Sequence, residues 1–197
     1  MTPADLPKDR FVCSHVGSLY ASRNPVALWR VLGKLYRQGE IPDLHIKLAG
    51  PVDASVRSSI HEEGLSPAVT YLGYLDHPDA TALMKASHVL LLSIENFPHN
   101  EGMITGKLYE YLASGRPVLG LGPKRGDASA LIRNLKAGNM FDRSDTSGMR
   151  KALMDAYTSW SIGNELKGAS VSQLEAYTRR AQTGVLANVL HAVTARN

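Results

Sequence analysis

Between Glu101 and Pro123 the sequence reads EGMITGKLYEYLASGRPVLGLGP, and its Gly102, Gly106 and Lys107 nearly spell a phosphate-binding loop. A Walker loop needs four residues between its first glycine and the Gly-Lys pair, then Ser or Thr to hold Mg²⁺. Here three residues separate Gly102 from Gly106, and Leu108 stands where the hydroxyl belongs. The segment also follows the fourth strand-like run of the chain, not the first. A dinucleotide fingerprint fails too: VGSLYASRN carries one glycine, and in GLGPKRG the third glycine comes one residue late. No two histidines stand at ligand spacing from each other or from Cys13, and no Gly-x-Ser-x-Gly elbow occurs, so no metal site is expected. What remains is Lys107 and Glu110, three apart in an apolar stretch and so neighbours on a helix. An ammonium suits a phosphate, and a carboxylate can accept two hydrogen bonds from a ribose diol. The plainer alternative is a solvated ion pair worth well under ~1 kcal/mol. Where that helix lies decides between them.

The elements that would position it read clearly. Candidate strands are FVCSHVG, LHIKLAG, VTYLGYL, HVLLLSI, RPVLGLG and GNMFD. Most are continuously apolar, the pattern of strands buried on both faces of a parallel sheet. Amphipathic runs lie between them. Asn24 is the expected N-cap of the first, with Pro25 in its first turn and Gly39 as its stop. Asp127 is the expected cap, and Gly138 the stop, of the helix after the fifth strand. Alternation with right-handed crossovers gives an α/β, doubly wound, Rossmann-like parallel sheet of six strands ordered 3-2-1-4-5-6. After about residue 144 only helical periods remain: one over 145–160, and a single run over 170–193. The expected division is a polar leader (1–10), a Rossmann-like domain (11–160), and a linker with a C-terminal helix (161–197) packing on or extending from it.

Composition narrows the class further. With 44% hydrophobic and 20% charged residues among 197, the chain can build a packed core. Its one cysteine, Cys13, lies in an apolar run and reads as a small buried hydrophobe in a reducing compartment. A formal charge of +4 suits phosphates or an anionic membrane surface. Three Phe, two Trp and scattered Arg form no nucleic-acid patch, so no nucleic-acid partner is expected. The polar N-terminus is no signal peptide, and VLLLSI is far shorter than the ~20 residues a span needs. The expected location is cytoplasmic, with peripheral contact at the inner face of the cytoplasmic membrane.

In a sheet of this order strands one and four are neighbours. The chain reverses direction between them, so ligands bind at the carboxyl ends there. The loops at that crevice are GSLYASRN and ENFPHNEGM. If MITGKLYEYLAS is one helix, Ile104, Leu108, Tyr111 and Leu112 face the sheet. Its N-terminus then offers amides near Gly102, Met103, Ile104 and Thr105 to a diphosphate. Glu110 becomes a natural ribose ligand, and Lys107 or Arg23 a natural phosphate partner. His15, at the end of the first strand, reads most simply as a structural histidine.

The stretch GKLYEYLASGRPVLGLGPKRGD resembles the signature of the retaining, nucleotide-sugar-dependent glycosyltransferases of GT-B architecture, family 4 (glycosyl transferases group 1). HVGSLYASRNP, LHIKLAGP, VTYLGYLDH and ASHVLLLSIE fall in the family's order, so the resemblance covers roughly residues 11 to 145. It implies the C-terminal, donor-binding half of a two-domain enzyme that moves a glycosyl group from a nucleoside diphosphate sugar (UDP- or GDP-sugar) to an alcohol. The acceptor, a glycan or lipid-linked glycan, would be met by a separate N-terminal domain. No cofactor or metal is implied. By the same resemblance Glu110 holds the ribose, Gly17 and basic residues meet the phosphates, and Gly73, Tyr74 and Leu75 line the base. Two departures stand out. The family's second glutamate falls eight residues before the first, at Gly102, with Glu101 one position away. Ser18 occupies the place of its Arg, and Asn24, beside Arg23, that of its Lys. Alternatives are a sugar-nucleotide epimerase of the same architecture and a non-catalytic nucleotide-binding or scaffold module.

Overall fold

The computed structural model describes residues 6–95 and 97–194. Residues 1–5 of the expected leader and 195–197 of the expected C-terminal segment lie outside the described residues. In chain order the elements are β1 (Phe11–Val16), α1 (Val26–Arg37), β2 (Leu44–Ala49), α2 (Ala54–Glu62), β3 (Val69–Gly73), α3 (His77–Lys85), β4 (Val89–Ser93), α4 (Gly106–Ala113), β5 (Val118–Leu121), α5 (Asp127–Asn134), β6 (Gly138–Phe141), α6 (Thr146–Ser161), α7 (Val171–Leu174) and α8 (Arg179–Thr194). All six apolar runs form strands. They pair in parallel in the order β3-β2-β1-β4-β5-β6.

Burial follows from that order. β1, β4 and β5 are interior strands and are buried at every position. β3 and β6 are the edges and keep exposed positions, so their sequences are less uniformly apolar. Leu28, Trp29, Leu32 and Leu35 of α1 pack with Val56 and Ile60 of α2 and with Met149 and Leu153 of α6 on one core cluster. Leu83 and Met84 of α3, Leu108, Tyr111 and Leu112 of α4, and Leu131 and Ile132 of α5 build the other. Each fully buried side chain of this size contributes about 1.5–3 kcal/mol. Side chains two apart on a strand share a face, so one strand serves both clusters: Phe11 and Cys13 belong to the first, Val16 to the second.

Helix ends depart from the sequence expectations in five places, each for a local reason. α1 is capped by Pro25, because the Asn24 side chain is engaged elsewhere: it donates to the Ser55 carbonyl and Ser59 Oγ and accepts from the Trp29 indole. α4 begins at Gly106, three residues later than expected, because Thr105 is extended and the Met103 amide turns back to the Asn100 carbonyl. Asp127 is the first residue of α5 and not its cap. Its amide is held by the Glu101 carbonyl at 2.7 Å, and Gly126 is the N-cap. Gly138 opens β6, and the left-handed residue that ends α5 is Lys136 (φ 50°). The expected single helix over 170–193 is broken at Thr178, which is extended, and whose Oγ1 accepts from the Ala181 amide to start α8.

At the amino ends of the strands Phe11, His88, Tyr157 and Trp160 form an aromatic cluster, with ring centroids 5.5–5.7 Å apart. α8 presents Val185, Leu186, Val189, Leu190 and Val193 as exposed side chains. Among the described residues no helix is long and apolar enough to cross a membrane.

Candidate functional site

The carboxyl ends of β1, β2 and β3 finish on glycines in the left-handed region: Gly17 (φ 113°), Gly50 (φ 109°) and Gly73 (φ 67°). The Gly17 amide donates to the Ala49 carbonyl at 2.7 Å, and the Gly50 amide to the Gly73 carbonyl at 2.6 Å. A Cβ on Gly50 would lie 2.7 Å from the Gly17 carbonyl group, so the two backbones approach as closely as glycine allows. The result is a low ledge of bare backbone beside the point where the sheet reverses.

Past Gly17 the chain runs alongside the loop after β2, with the Leu19 amide on the Pro51 carbonyl and the Asp53 amide on the Leu19 carbonyl. It then makes a 3-10 turn over Ala21–Arg23. Three elements clamp that turn. Ser93 Oγ, ending β4, donates to the Arg23 carbonyl at 2.7 Å. Arg143, just after β6, donates from Nη1 to the Asn24 carbonyl and from Nη2 to the Ile94 carbonyl at 2.6 Å. The Asn24 side chain adds the α2 contacts described above. Arg143→Ala should lower stability by about 2 kcal/mol, because several charge-assisted hydrogen bonds end on one side chain. Urea unfolding would show this as a lower midpoint with an unchanged slope.

Helix α4 closes the other side of the crevice. Tyr111 is wholly buried, and its hydroxyl accepts from the Val16 amide at 2.8 Å, which fastens the helix to β1. Burial pushes the Tyr111 phenol above its ordinary range. One turn earlier, Lys107 reaches over Gly17. A Cβ on that glycine would sit 2.6 Å from both Cε and Nζ of the lysine. The Lys107 Nζ lies 3.1 Å from His15 Nε2. Burial, with Arg23 nearby, pushes the ammonium down to about 8, while Glu110 acts in the opposite direction. His15 is pushed down to about 3, first by burial and then by Lys107, so it is neutral.

Two polar atoms here are buried without a partner among the described residues: Arg23 Nε and the Thr105 hydroxyl, at the N-cap of α4. Such orphans cost about 1–3 kcal/mol each and mark places a ligand can complete. Arg23 is otherwise 3.6 Å from the Glu95 carboxylate. The first amides of α4, on Gly106 and Lys107, have no acceptor within the helix and add a positive helix end to the same crevice.

The residues singled out in the sequence therefore separate into groups. Gly17 and Lys107 are in contact at the switch point, with Arg23 close enough to act on the ammonium, Thr105 at the N-cap of the same helix and Ser18 in the loop that leaves Gly17. Met103 and Ile104 are half-buried ahead of the helix, packed on the second core cluster. Their expected helical amides are replaced by those of Gly106 and Lys107. Lys107 and Glu110 do not form the exposed ion pair that their spacing allows, because the lysine turns inward. Glu110 is exposed and borders a groove of about 800 Å³ between α4 and the C-terminal segment, with Tyr109, Ala113, Tyr177 and Arg179. Glu101 and Gly102 are exposed, and what the former supplies to the fold is its carbonyl, to Asp127. Gly73 belongs to the ledge, Tyr74 is 86% exposed beside it, and Leu75 packs on the second core cluster. His15, Ser93 and Arg143 were not selected as site residues by sequence reasoning. Among the described residues no three His, Cys, Asp or Glu side chains converge.

The model of a family described as glycosyl transferases group 1 matches residues 10–159. No curated protein matches the chain in sequence. Among solved structures the chain is similar to WaaG, a glycosyltransferase involved in lipopolysaccharide biosynthesis (16% identity, 80% of this chain and 42% of that one, TM-score 0.63). It is similar to HepE of Anabaena, solved with UDP (18%, 95% and 49%, TM-score 0.67). It is also similar to the pneumococcal O-GlcNAc transferase GtfA, solved with UDP and GlcNAc (17%, 91% and 34%, TM-score 0.58). At these identities the likeness is one of fold, and the chain spans less than half the length of each.

Proposed function

Because this chain belongs to the family of group 1 glycosyl transferases, we propose that it is the donor-binding half of a retaining glycosyltransferase. The donor is a nucleoside diphosphate sugar, UDP- or GDP-linked, and the acceptor is a hydroxyl of a glycan or lipid-linked glycan. The observation that carries this is the Lys107 ammonium, half-buried over Gly17 at the switch point, on a helix whose N-cap hydroxyl, Thr105, is orphaned and near an Arg23 whose Nε is orphaned too. A half-buried cation with unfilled donors nearby is a site completed by an anion. UDP in the HepE and GtfA structures supports a nucleoside diphosphate in this one.

In this reading Lys107, Arg23 and the α4 N-terminus stabilise the charge that develops on the leaving diphosphate, without a metal. Because they are fixed before the donor arrives, little reorganisation is needed as the bond breaks. Glu110 accepts from the ribose hydroxyls at the mouth of the groove, and Gly73, Tyr74 and Leu75 border the base. Acceptor recognition belongs to a second half, which fits the share of the solved relatives that this chain covers. A lipid-linked acceptor would bring the enzyme to the inner face of the cytoplasmic membrane, and a charge of +4 suits that surface.

Calorimetric titration of the chain with UDP, GDP and ADP tests the reading. One of them should bind, and Glu110→Ala should weaken it about tenfold, the loss of one to two hydrogen bonds to a carboxylate. No binding by any of the three would favour a scaffold module instead. Sugar transfer by this chain on its own would overturn the assignment of acceptor recognition to a second half.

A further inference from the structure

Lys107 rests on a residue that the donor reading does not by itself require. The two nitrogens of His15 have different partners: Nδ1 is 2.9 Å from the Leu91 carbonyl oxygen, and Nε2 is 3.1 Å from the Lys107 Nζ. A carbonyl can only accept, so Nδ1 carries the ring proton and Nε2 turns its lone pair to the ammonium. His15 is 2% exposed on β1, and the Leu91 carbonyl anchors its ring at Nδ1 independently of Lys107. A lysine stem, by contrast, has four rotatable bonds and no preferred direction of its own. The other charges around it do not fix it. Arg23, from the turn after β1, repels it. Glu110, one turn along α4, attracts it from the exposed side. Glu95, after β4, is paired with Arg23. Among the described residues His15 is the hydrogen-bond partner that Lys107 has.

We propose that His15 is the positioning residue for Lys107: its neutral imidazole holds the ammonium above Gly17, in place for the diphosphate, in a chain whose loop after β1 has Ser18 immediately after the glycine. The diphosphate role rests on the donor-binding reading; the support of Lys107 by His15 does not. An acceptor lone pair favours the charged form of the lysine and so opposes the burial that pushes it down to about 8. Removing the lone pair frees the stem and lets the proton leave at lower pH.

The test follows the Lys107 Cε resonance by ¹³C NMR through a pH titration of the full chain, in wild type, His15→Leu and His15→Gln. The midpoint should fall by about one unit in the leucine variant and by less in the glutamine variant, which restores an acceptor. UDP or GDP affinity at pH 7.5 should fall roughly tenfold in the leucine variant, with partial recovery in the glutamine one. A packing role alone would lower affinity without moving the Lys107 midpoint, so an unmoved midpoint in both variants overturns the proposal. If neither variant folds, Lys107→Met supplies the measurement from the other side. The ¹⁵N resonance of His15 Nε2 should then shift on losing its donor while Nδ1 stays protonated, and an unmoved Nε2 overturns the proposal. Absence of UDP and GDP binding by wild type at every pH sinks the donor reading and the diphosphate role with it. A midpoint that still moved would leave His15 as the support of Lys107.

Discussion

Lys107→Met should weaken nucleoside diphosphate binding about 100-fold and at the same time make the unliganded chain more stable. Two effects of one buried charge work in opposite directions. Toward the ligand, a charge-assisted contact to phosphate in a water-poor crevice contributes about 3 kcal/mol, and each 1.4 kcal/mol is a factor of ten. Toward folding, the charge is a burden. The folded lysine sits at about 8 against an ordinary 10.5, so the unfolded chain holds the proton more tightly. Below pH 8 both states carry the proton, and the folded state bears the whole cost of burying it. Between 8 and 10.5 the folded chain is the first to release it, so this group's contribution makes wild-type stability rise with pH across that window and level off above it. Methionine keeps the stem and removes the charge but leaves the buried His15 Nε2 without its donor, so the net gain at pH 7 should be about 1 kcal/mol, with that part of the rise abolished. Urea unfolding at pH 7 and pH 9.5, beside calorimetry with UDP and GDP, checks both halves. A variant less stable than wild type at pH 7 would mean the ammonium holds the fold together instead of straining it.

Gly50→Ala should be the most damaging small substitution at the ledge, costing about 4 kcal/mol through backbone strain and a clash with backbone. Its φ of 109° is one that L residues rarely adopt, and the new methyl carbon would lie 2.7 Å from the carbonyl carbon and oxygen of Gly17. Backbone cannot swing aside as a side-chain tip can. Relief requires β1 and the loop after β2 to part, and that movement pulls on the 2.6 Å bond from the Gly50 amide to Gly73. Gly39→Ala is the natural control. Its φ of 69° is also left-handed, but nothing lies within 4 Å of the new carbon, so only the backbone strain of about 1 kcal/mol applies. In a chain of this size the two costs correspond to falls of about 10 °C and about 3 °C in Tm. Equal falls would show that the close approach at Gly50 has no energetic weight.

The strands were readable because their burial is written in local composition, and their order followed from the alternation with helices. Interior strands are enclosed on both faces and must be apolar throughout, and VLLLS in β4 announces itself without reference to the rest of the chain. Caps were harder, since they depend on what a side chain finds elsewhere. Asn24 has a good capping side chain, but the α2 contacts and the Trp29 indole, all set by tertiary packing, compete for it successfully. The start of α4 was misplaced for a similar reason: the turn at Asn100 and the extended Thr105 leave no trace in helical periodicity. Within the site, Gly17, Lys107, Glu110 and Arg23 are visible as residue types at telling places. The partnership of His15 with Lys107 spans 92 residues and the grip of Arg143 on Asn24 spans 119. Neither can be read from spacing along the chain, since the sheet order alone brings those loops together.

The chain has two tryptophans, and the fold puts them at opposite ends of the sheet. Trp29 donates its indole proton to Asn24, directly behind the turn that carries Arg23. Trp160 lies in the aromatic cluster with Phe11 and His88, below the amino ends of the strands. Intrinsic fluorescence therefore separates into two spatial channels. The first reports the crevice where a nucleotide would settle. The second reports the far pole, beside His88, which burial pushes down to about 4 and so keeps neutral. Each single Trp→Phe exchange leaves one pole as an unlabelled optical gauge, so that Trp160→Phe reports ligand occupancy and Trp29→Phe reports loosening of the far pole.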